Sequence, residues 1–159
     1  MQSLDFVLDE AGDTAVRGLW RQLQDAGLPS RGDHRGASNR PHITLCAAPE
    51  LSAPCVTYAE CLARELPLRL PVAGVRTFDR SNLVYLAVDV PPIWHERVRR
   101  LRDLADQYRL SWTPHVTVSG RLTDDQVTVA REVVVGVPDA LIVTGVTQWD
   151  PTTARVRAL

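Results

Sequence analysis

The sequence predicts an α+β fold of two duplicated halves, each β-α-β-α-β, whose mainly antiparallel sheets flank a central cleft. Three observations predict it. The tetrad Pro-His-x-Thr occurs twice, as Pro41-His42-Ile43-Thr44-Leu45 and Pro114-His115-Val116-Thr117-Val118. A second repeat runs in step: Ala73-Gly74-Val75-Arg76-Thr77-Phe78-Asp79 resembles Thr144-Gly145-Val146-Thr147-Gln148-Trp149-Asp150. The histidines are 73 positions apart (115 − 42) and the glycines 71 (145 − 74). Strand and helix signals also come in the same order in both halves. Two copies at so long a period make a two-lobed domain with a pseudo-twofold axis, not a solenoid. Residues 1–159 are read as one bilobal domain, with halves at about 1–79 and 82–159 forming the lobes.

Leu4 to Leu8 reads as a strand. Thr14 to Ala26 reads as a helix with Val16, Leu19, Trp20 and Leu23 on one face and Gly27 as its stop. A polar loop, residues 29–40, precedes the strand that carries His42. Ser52 and Pro54 open a second helix that keeps Tyr58, Leu62 and Leu66 in line. Leu68 to Phe78 reads as an extended segment broken at Pro71 and Gly74. The second half repeats the series. Leu83 to Val90 is a strand, and Ile93 to Tyr108 a helix buried through Trp94, Val98, Leu101, Ala105 and Tyr108. The His115 strand follows. Thr123, with Gln126 three residues on, forms a capping box that opens the last helix. Ala140 to Trp149 is a strand, and the chain turns at Asp150 into a short final one.

Composition narrows the function classes. The chain has 159 residues, 45 % hydrophobic and 23 % charged, which is ordinary for one globular domain. A formal net charge of −1 excludes a broad polyanion-binding face, so a nucleic-acid ligand needs a local site. All 18 cationic residues are arginine. A GC-rich genome produces that bias by itself, although arginine also suits bidentate phosphate contacts. Cys46, Cys55 and Cys61 are an odd set without C-x-x-C spacing, so neither a disulfide framework nor a zinc site is expected. Free thiols and the lack of any long apolar run point to a cytoplasmic protein with no membrane partner.

The tetrads carry the chemistry. In a strand His42 and Thr44 share a face, as do His115 and Thr117. A lone His-x-Thr is usually packing; two copies with matching flanks are expected to converge on one cleft. An imidazole on each side of a phosphorus supplies a general base and a general acid for in-line displacement. Each threonine hydroxyl is placed to hydrogen-bond a non-bridging phosphate oxygen. The rival is a metal centre, with Asp89 or Asp150 joining the histidines. Two histidines without an acidic residue or cysteine on their face are too few for catalytic zinc, so no metal and no cofactor are expected.

The paired His-x-Thr motifs, their spacing and the β-α-β-α order resemble the 2H phosphoesterase superfamily, in particular its bacterial 2′-5′ RNA ligase-like branch. The resemblance covers nearly the whole chain. It implies a metal-independent cyclic phosphodiesterase or 2′-5′ RNA ligase-like enzyme, acting on 2′,3′-cyclic phosphates or 2′-5′ phosphodiesters of nucleotides or RNA ends. It assigns the catalytic pairs to His42 with Thr44 and His115 with Thr117. Members often carry an arginine five positions after a motif histidine. Here that position is Gly120, and Arg121 follows it, so a bulge at the glycine is needed to aim Arg121 at phosphate.

Further candidates come from position. Tyr85 shares a strand face with Leu83, Ala87 and Asp89, opposite the apolar Val84, Leu86 and Val88, and is expected to face the cleft and stack on a base. Ser119 and Cys46 each lie four positions after a motif histidine and are expected to line the cleft. Arg40, with Arg31, Arg35 and His34, makes the 29–40 loop a basic flap over phosphate. His95 sits in a charged helix and reads as surface. A monomer with a nucleotide or RNA-terminus substrate and no obligate protein partner is expected. The alternative is the same fold used as a nucleotide- or RNA-binding module without turnover.

Overall fold

The computed structural model describes residues 1–36, 38–107 and 111–159. The first half holds β1 (Gln2–Leu8), α1 (Glu10–Asp25), a 3₁₀ turn (Arg31–Asp33), β2 (His42–Ala48), α2 (Ala53–Ala63) and β3 (Leu68–Phe78). The second holds β4 (Leu83–Val88), α3 (Pro92–Leu104), β5 (His115–Thr117), α4 (Asp124–Val133), β6 (Ala140–Asp150) and β7 (Arg155–Ala158). The element order is the expected one, and several boundaries differ for local reasons. α1 starts at Glu10, ahead of Thr14, because the Asp9 carboxylate accepts the Gly12 N–H at 2.8 Å and caps the helix there. α2 buries Cys55, Ala59 and Leu62 in place of the Tyr58–Leu62–Leu66 line, and Tyr58 lies under the Arg100 guanidinium. α3 stops at Leu104 because Asp106 turns left-handed, at φ 55°. The expected last helical residue, Tyr108, lies outside the described residues.

Every strand pairing is antiparallel, in the order β2-β1-β6-β3-β4-β5, with β7 added to β6. β3 is one strand that changes partner where a break was expected. Leu68–Pro71 pairs with β6, and from Val72 the strand pairs with β4. β6 does the same, with β3 first and then β1. The lobes therefore differ from the sequence halves, since each draws its third strand from the other half. The cause is local: residues 79–82 form a tight turn, so β3 and β4 pair as a hairpin across the midpoint.

Both copies of the glycine repeat carry the same irregularity. Ala73 is the extra residue where Val72 faces Val88 and Gly74 faces Ala87. Thr144 is the extra residue where Val7 faces Gly145 and Leu8 faces Val143. A bulge kinks its strand and raises the local twist. At these two points it separates the part of each strand that joins the lobes from the part that completes one.

The helices cover one face of the sheet. Leu4, Phe6, Ile43, Val84, Leu86 and Val116 are buried there, with Leu19, Leu23, Trp94, Val98 and Leu101 from the helices. Trp94 meets Phe6 edge-on at 5.6 Å. Each large apolar side chain contributes about 1.5–3 kcal/mol by leaving water. That core fixes which face of every strand remains open, and Ser3, Asp5, His42, Thr44, His115 and Thr117 lie on the open one.

Gly74 sits at φ +117°, with nothing within 4 Å of the position a Cβ would take. Gly74→Ala is expected to lower stability by about 1–2 kcal/mol through backbone strain alone. Urea unfolding reads this as an earlier midpoint at unchanged slope.

Candidate active site

Each histidine is held from behind by the residue two before it. Residues that precede proline are driven to extended backbone, and Arg40 and Thr113 precede Pro41 and Pro114. Their carbonyls lie at 2.7 Å from His42 Nδ1 and 2.7 Å from His115 Nδ1. A carbonyl only accepts, so Nδ1 carries the proton in both rings. Nε2 is then the lone-pair nitrogen of the neutral form, and in neither ring does it have a partner among the described residues. The proline of the tetrad thus positions the carbonyl that sets the tautomer.

The two threonines differ. The Thr44 hydroxyl donates to Asp5 Oδ1 at 2.7 Å, and the Asp5 carboxylate also accepts the Ser3 hydroxyl at 2.6 Å. Thr44 therefore offers lone pairs, not a proton, to the cleft. The Thr117 hydroxyl has no partner among the described residues and borders the largest cavity at the site.

β2 and β5 are the two ends of the sheet and come into contact with each other. Their outward-facing carbonyls are capped by indoles. Trp112, from the segment before β5, donates Nε1–H to Thr44 O at 2.9 Å. Trp20, from α1, donates Nε1–H to Thr117 O at 3.1 Å. Each half thus caps the histidine strand of the other half. Further along β2, Arg102 donates to Leu45 O at 3.0 Å, and the Gln107 amide bonds both backbone groups of Ala47. Edge groups covered in this way are closed to intermolecular pairing.

Two cavities meet at His42. The larger, about 600 Å³, is bordered by His42, Thr44, Thr117 and Arg121, with Arg31 and His34 of the loop. The second, about 280 Å³, runs along the open face of β1 and β6 past Asp5, Val7, Trp149 and Val156. The 29–40 loop between them is tied down. Ser30 bridges to Ser119, Arg31 N–H donates to Val118 O at 3.0 Å, and Asn39 Nδ2 donates to the Arg31 and His34 carbonyls.

Among the other expected residues, Arg121 reaches the larger cavity, and a bulge does precede it. The bulge lies at Val118 and Ser119, whose N–H groups both donate to Val84 O, and not at Gly120. Ser119 is fully buried and its hydroxyl accepts the Val84 N–H at 2.8 Å, so it closes that bulge. Tyr85 lies on the open face, but Phe78 covers its ring, stacked at 4.1 Å, and its edge contacts His115 at 5.3 Å. It packs against the histidine, is 7 % exposed, and has one face taken by Phe78. Arg40 lends His42 its carbonyl, and its guanidinium lies 3.8 Å from Asp13. Cys46 is turned away from the cleft, because Leu45 is an extra residue opposite the Leu4–Asp5 step of β1. The Cys55 thiol beside it and burial push the Cys46 thiol well above its ordinary range, against any nucleophilic role. His34 reaches both cavities, and His95 packs edge-on against Trp112. No three of His, Cys, Asp and Glu gather as metal ligands among the described residues.

Burial lowers the pKa of His115, and the charge of His42 lowers it further, against an opposing effect of the Thr113 carbonyl. Sequence reasoning missed Asp5. Its signal was available: an acidic residue at an alternate position of a strand that is otherwise apolar, Leu4-Asp5-Phe6.

A family model described as the 2′-5′ RNA ligase superfamily matches residues 12–158. E. coli LigT complexed with NADP+ is 21 % identical, with 99 % of this chain and 92 % of that chain covered at a TM-score of 0.58. A protein solved as a phosphoesterase is 20 % identical, with 99 % and 92 % covered, at 0.58. The Thermus thermophilus protein TT0787 is 17 % identical, with 99 % and 94 % covered, at 0.55. At these identities the likeness establishes the fold. No curated protein is a significant match.

Trp20→Phe and Trp112→Phe keep most of the ring but leave a strand carbonyl without its donor. Each is expected to cost about 1–2 kcal/mol, read from chemical denaturation. A second outcome concerns pH. The folded His115 binds its proton less tightly than the unfolded chain does, so the unfolded state takes up more protons. Its contribution to stability is complete above about pH 6.5 and is lost as pH falls below that value. His115→Asn should flatten the acid side of the stability profile.

Proposed function

Because the chain belongs to the 2′-5′ RNA ligase superfamily, we propose that it is a metal-independent phosphoesterase acting on a 2′,3′-cyclic phosphate or 2′-5′ phosphodiester of a nucleotide or RNA end. The observation that carries the reading is the pair of imidazoles. Each is locked by a carbonyl at Nδ1, which leaves Nε2 without a partner among the described residues. That is the state in which a ring accepts or returns a proton without first changing tautomer.

In this reading His115, kept neutral by burial, takes the proton of the attacking water or hydroxyl at Nε2. His42, as imidazolium, gives its proton to the leaving oxygen. The Thr113 and Arg40 carbonyls accept from Nδ1–H throughout and steady each ring while it is charged. The Thr117 hydroxyl and Arg121 hold the non-bridging oxygens, where negative charge grows in the transition state. Thr44, whose O–H donates to Asp5, serves the His42 side as an acceptor. E. coli LigT has been solved with NADP+, 3′-AMP, ATP and phosphate, all of which carry phosphate groups. That supports a nucleotide as the substrate here.

The test is turnover of 2′,3′-cyclic nucleotides, cyclic-phosphate RNA ends and 2′-5′ dinucleotides in the presence of chelator. The double variant His42→Ala/His115→Ala is the blank. Each single His→Ala change is expected to cost on the order of 10²–10⁴ in rate, and the two losses should combine less than additively. The profile of kcat/KM against pH should be bell-shaped. Its acid limb should lie below the ordinary imidazole value of about 6.5, because the base is the histidine held down by burial. Full activity in either single variant would sink the two-histidine mechanism; binding of these substrates by the wild-type protein without turnover would leave a binding module.

A further inference from the structure

The two halves of the site are built alike except at one station. β1 lies against β2 as β4 lies against β5. Val7 faces His42 and Asp5 faces Thr44; Ala87 faces His115 and Tyr85 faces Thr117. A bulge then follows each threonine, at Leu45 opposite Leu4–Asp5 and at Val118–Ser119 opposite Val84. The matched station holds a carboxylate in one half and a phenol in the other.

Asp5 is 7 % exposed and borders the cavity beside His42. Both its oxygens accept from neutral hydroxyls, those of Thr44 and Ser3. Among the described residues no salt bridge reaches it. A buried carboxylate held only by hydroxyls keeps its negative field, which acts on the reacting group across a space partly shielded from water. Asp33 also borders the larger cavity; its exposed carboxylate accepts from the Ser30 N–H at 2.8 Å and Gln24 Nε2 at 3.0 Å, so it is screened by water where Asp5 is not. Of the positive groups, Arg121 borders the Thr117 cavity, Arg31 borders both cavities, and Arg40 borders the Asp5 cavity with its guanidinium 3.8 Å from Asp13.

We propose that Asp5 is a specificity residue that admits a singly charged phosphodiester and disfavours a doubly charged phosphomonoester. It acts in two ways. Its charge repels the second negative charge of a monoester. It also accepts the Thr44 hydroxyl hydrogen bond, so the Thr44 hydroxyl is not offered as a donor to an anionic oxygen on the His42 side. A diester brings one charge, which the Thr117 side meets, and a protonated leaving oxygen suits an acceptor at Thr44. The product of hydrolysis carries the second charge and is pushed out. This deepens the phosphoester reading above and rests on it.

The test is binding, so it does not depend on turnover. Calorimetry compares a 2′-deoxynucleoside 3′-phosphate with its O-methyl ester at pH 8, where the first carries two charges and the second one. Wild-type protein should prefer the ester. In Asp5→Asn, which keeps the shape and removes the charge, the monoester should bind about tenfold tighter while the ester moves less than about threefold. Asp5→Leu removes the same charge with different packing and should shift the ratio the same way, so either folded variant suffices. Thr44→Val keeps the carboxylate and should keep a preference for the ester. An unchanged ratio in the Asp5 variants overturns this proposal and leaves the phosphoesterase reading standing. Wild-type protein that binds neither ligand overturns both.

Discussion

The site depends on how the two ends of one sheet are held together. β2 and β5 are edge strands, and an edge strand presents unpaired carbonyls that favour pairing with another chain. Here the Thr44 and Thr117 carbonyls are taken by indole N–H groups, each from the opposite half. A bond across the halves does two things at once. It satisfies a backbone acceptor, and it joins the histidine strand of one half to the scaffold of the other. The candidate site lies at that junction, so the contacts that close the edges also hold the two histidine strands together.

Local backbone geometry then prepares each ring. Proline before histidine forces the preceding residue into extended conformation, and its carbonyl meets Nδ1. The two rings share this device yet differ in environment. His115 is packed by Phe78 and Tyr85 and loses affinity for its proton through burial. His42 has the buried Asp5 two stations along on the neighbouring strand. Duplication supplied two equal halves, and the residues facing the threonines made them unequal. The proposed acid–base roles would draw on that inequality.

The bulges connect fold to chemistry. Those at Ala73 and Thr144 mark where β3 and β6 pass from joining the lobes to completing one. Those after Thr44 and Thr117 change the side-chain alternation. One turns Cys46 toward Cys55 and the helices; the other precedes Arg121 at the cavity. Strand alternation continued past Thr44 puts Cys46 in the cleft. The inserted residue reverses that, because a single extra residue moves everything after it to the other face.

Much of this was legible in the sequence for a physical reason. The element order, the caps at Ser52 and Thr123 and the open face of β4 follow from interactions a few residues apart. The repeated tetrad named the two histidine strands, because period-two alternation places His and Thr together without reference to the rest of the chain. What the sequence could not specify lay between segments distant in the chain. The Thr44 hydroxyl reaches Asp5, Trp20 reaches Thr117, and Phe78 covers the face of Tyr85 that was expected to meet a base. Whether a hydroxyl is a donor or an acceptor, and whether an aromatic face is open or covered, depends on what the fold brings against it. Local chemistry selected the residues of this site; long-range packing decided which of them were already occupied.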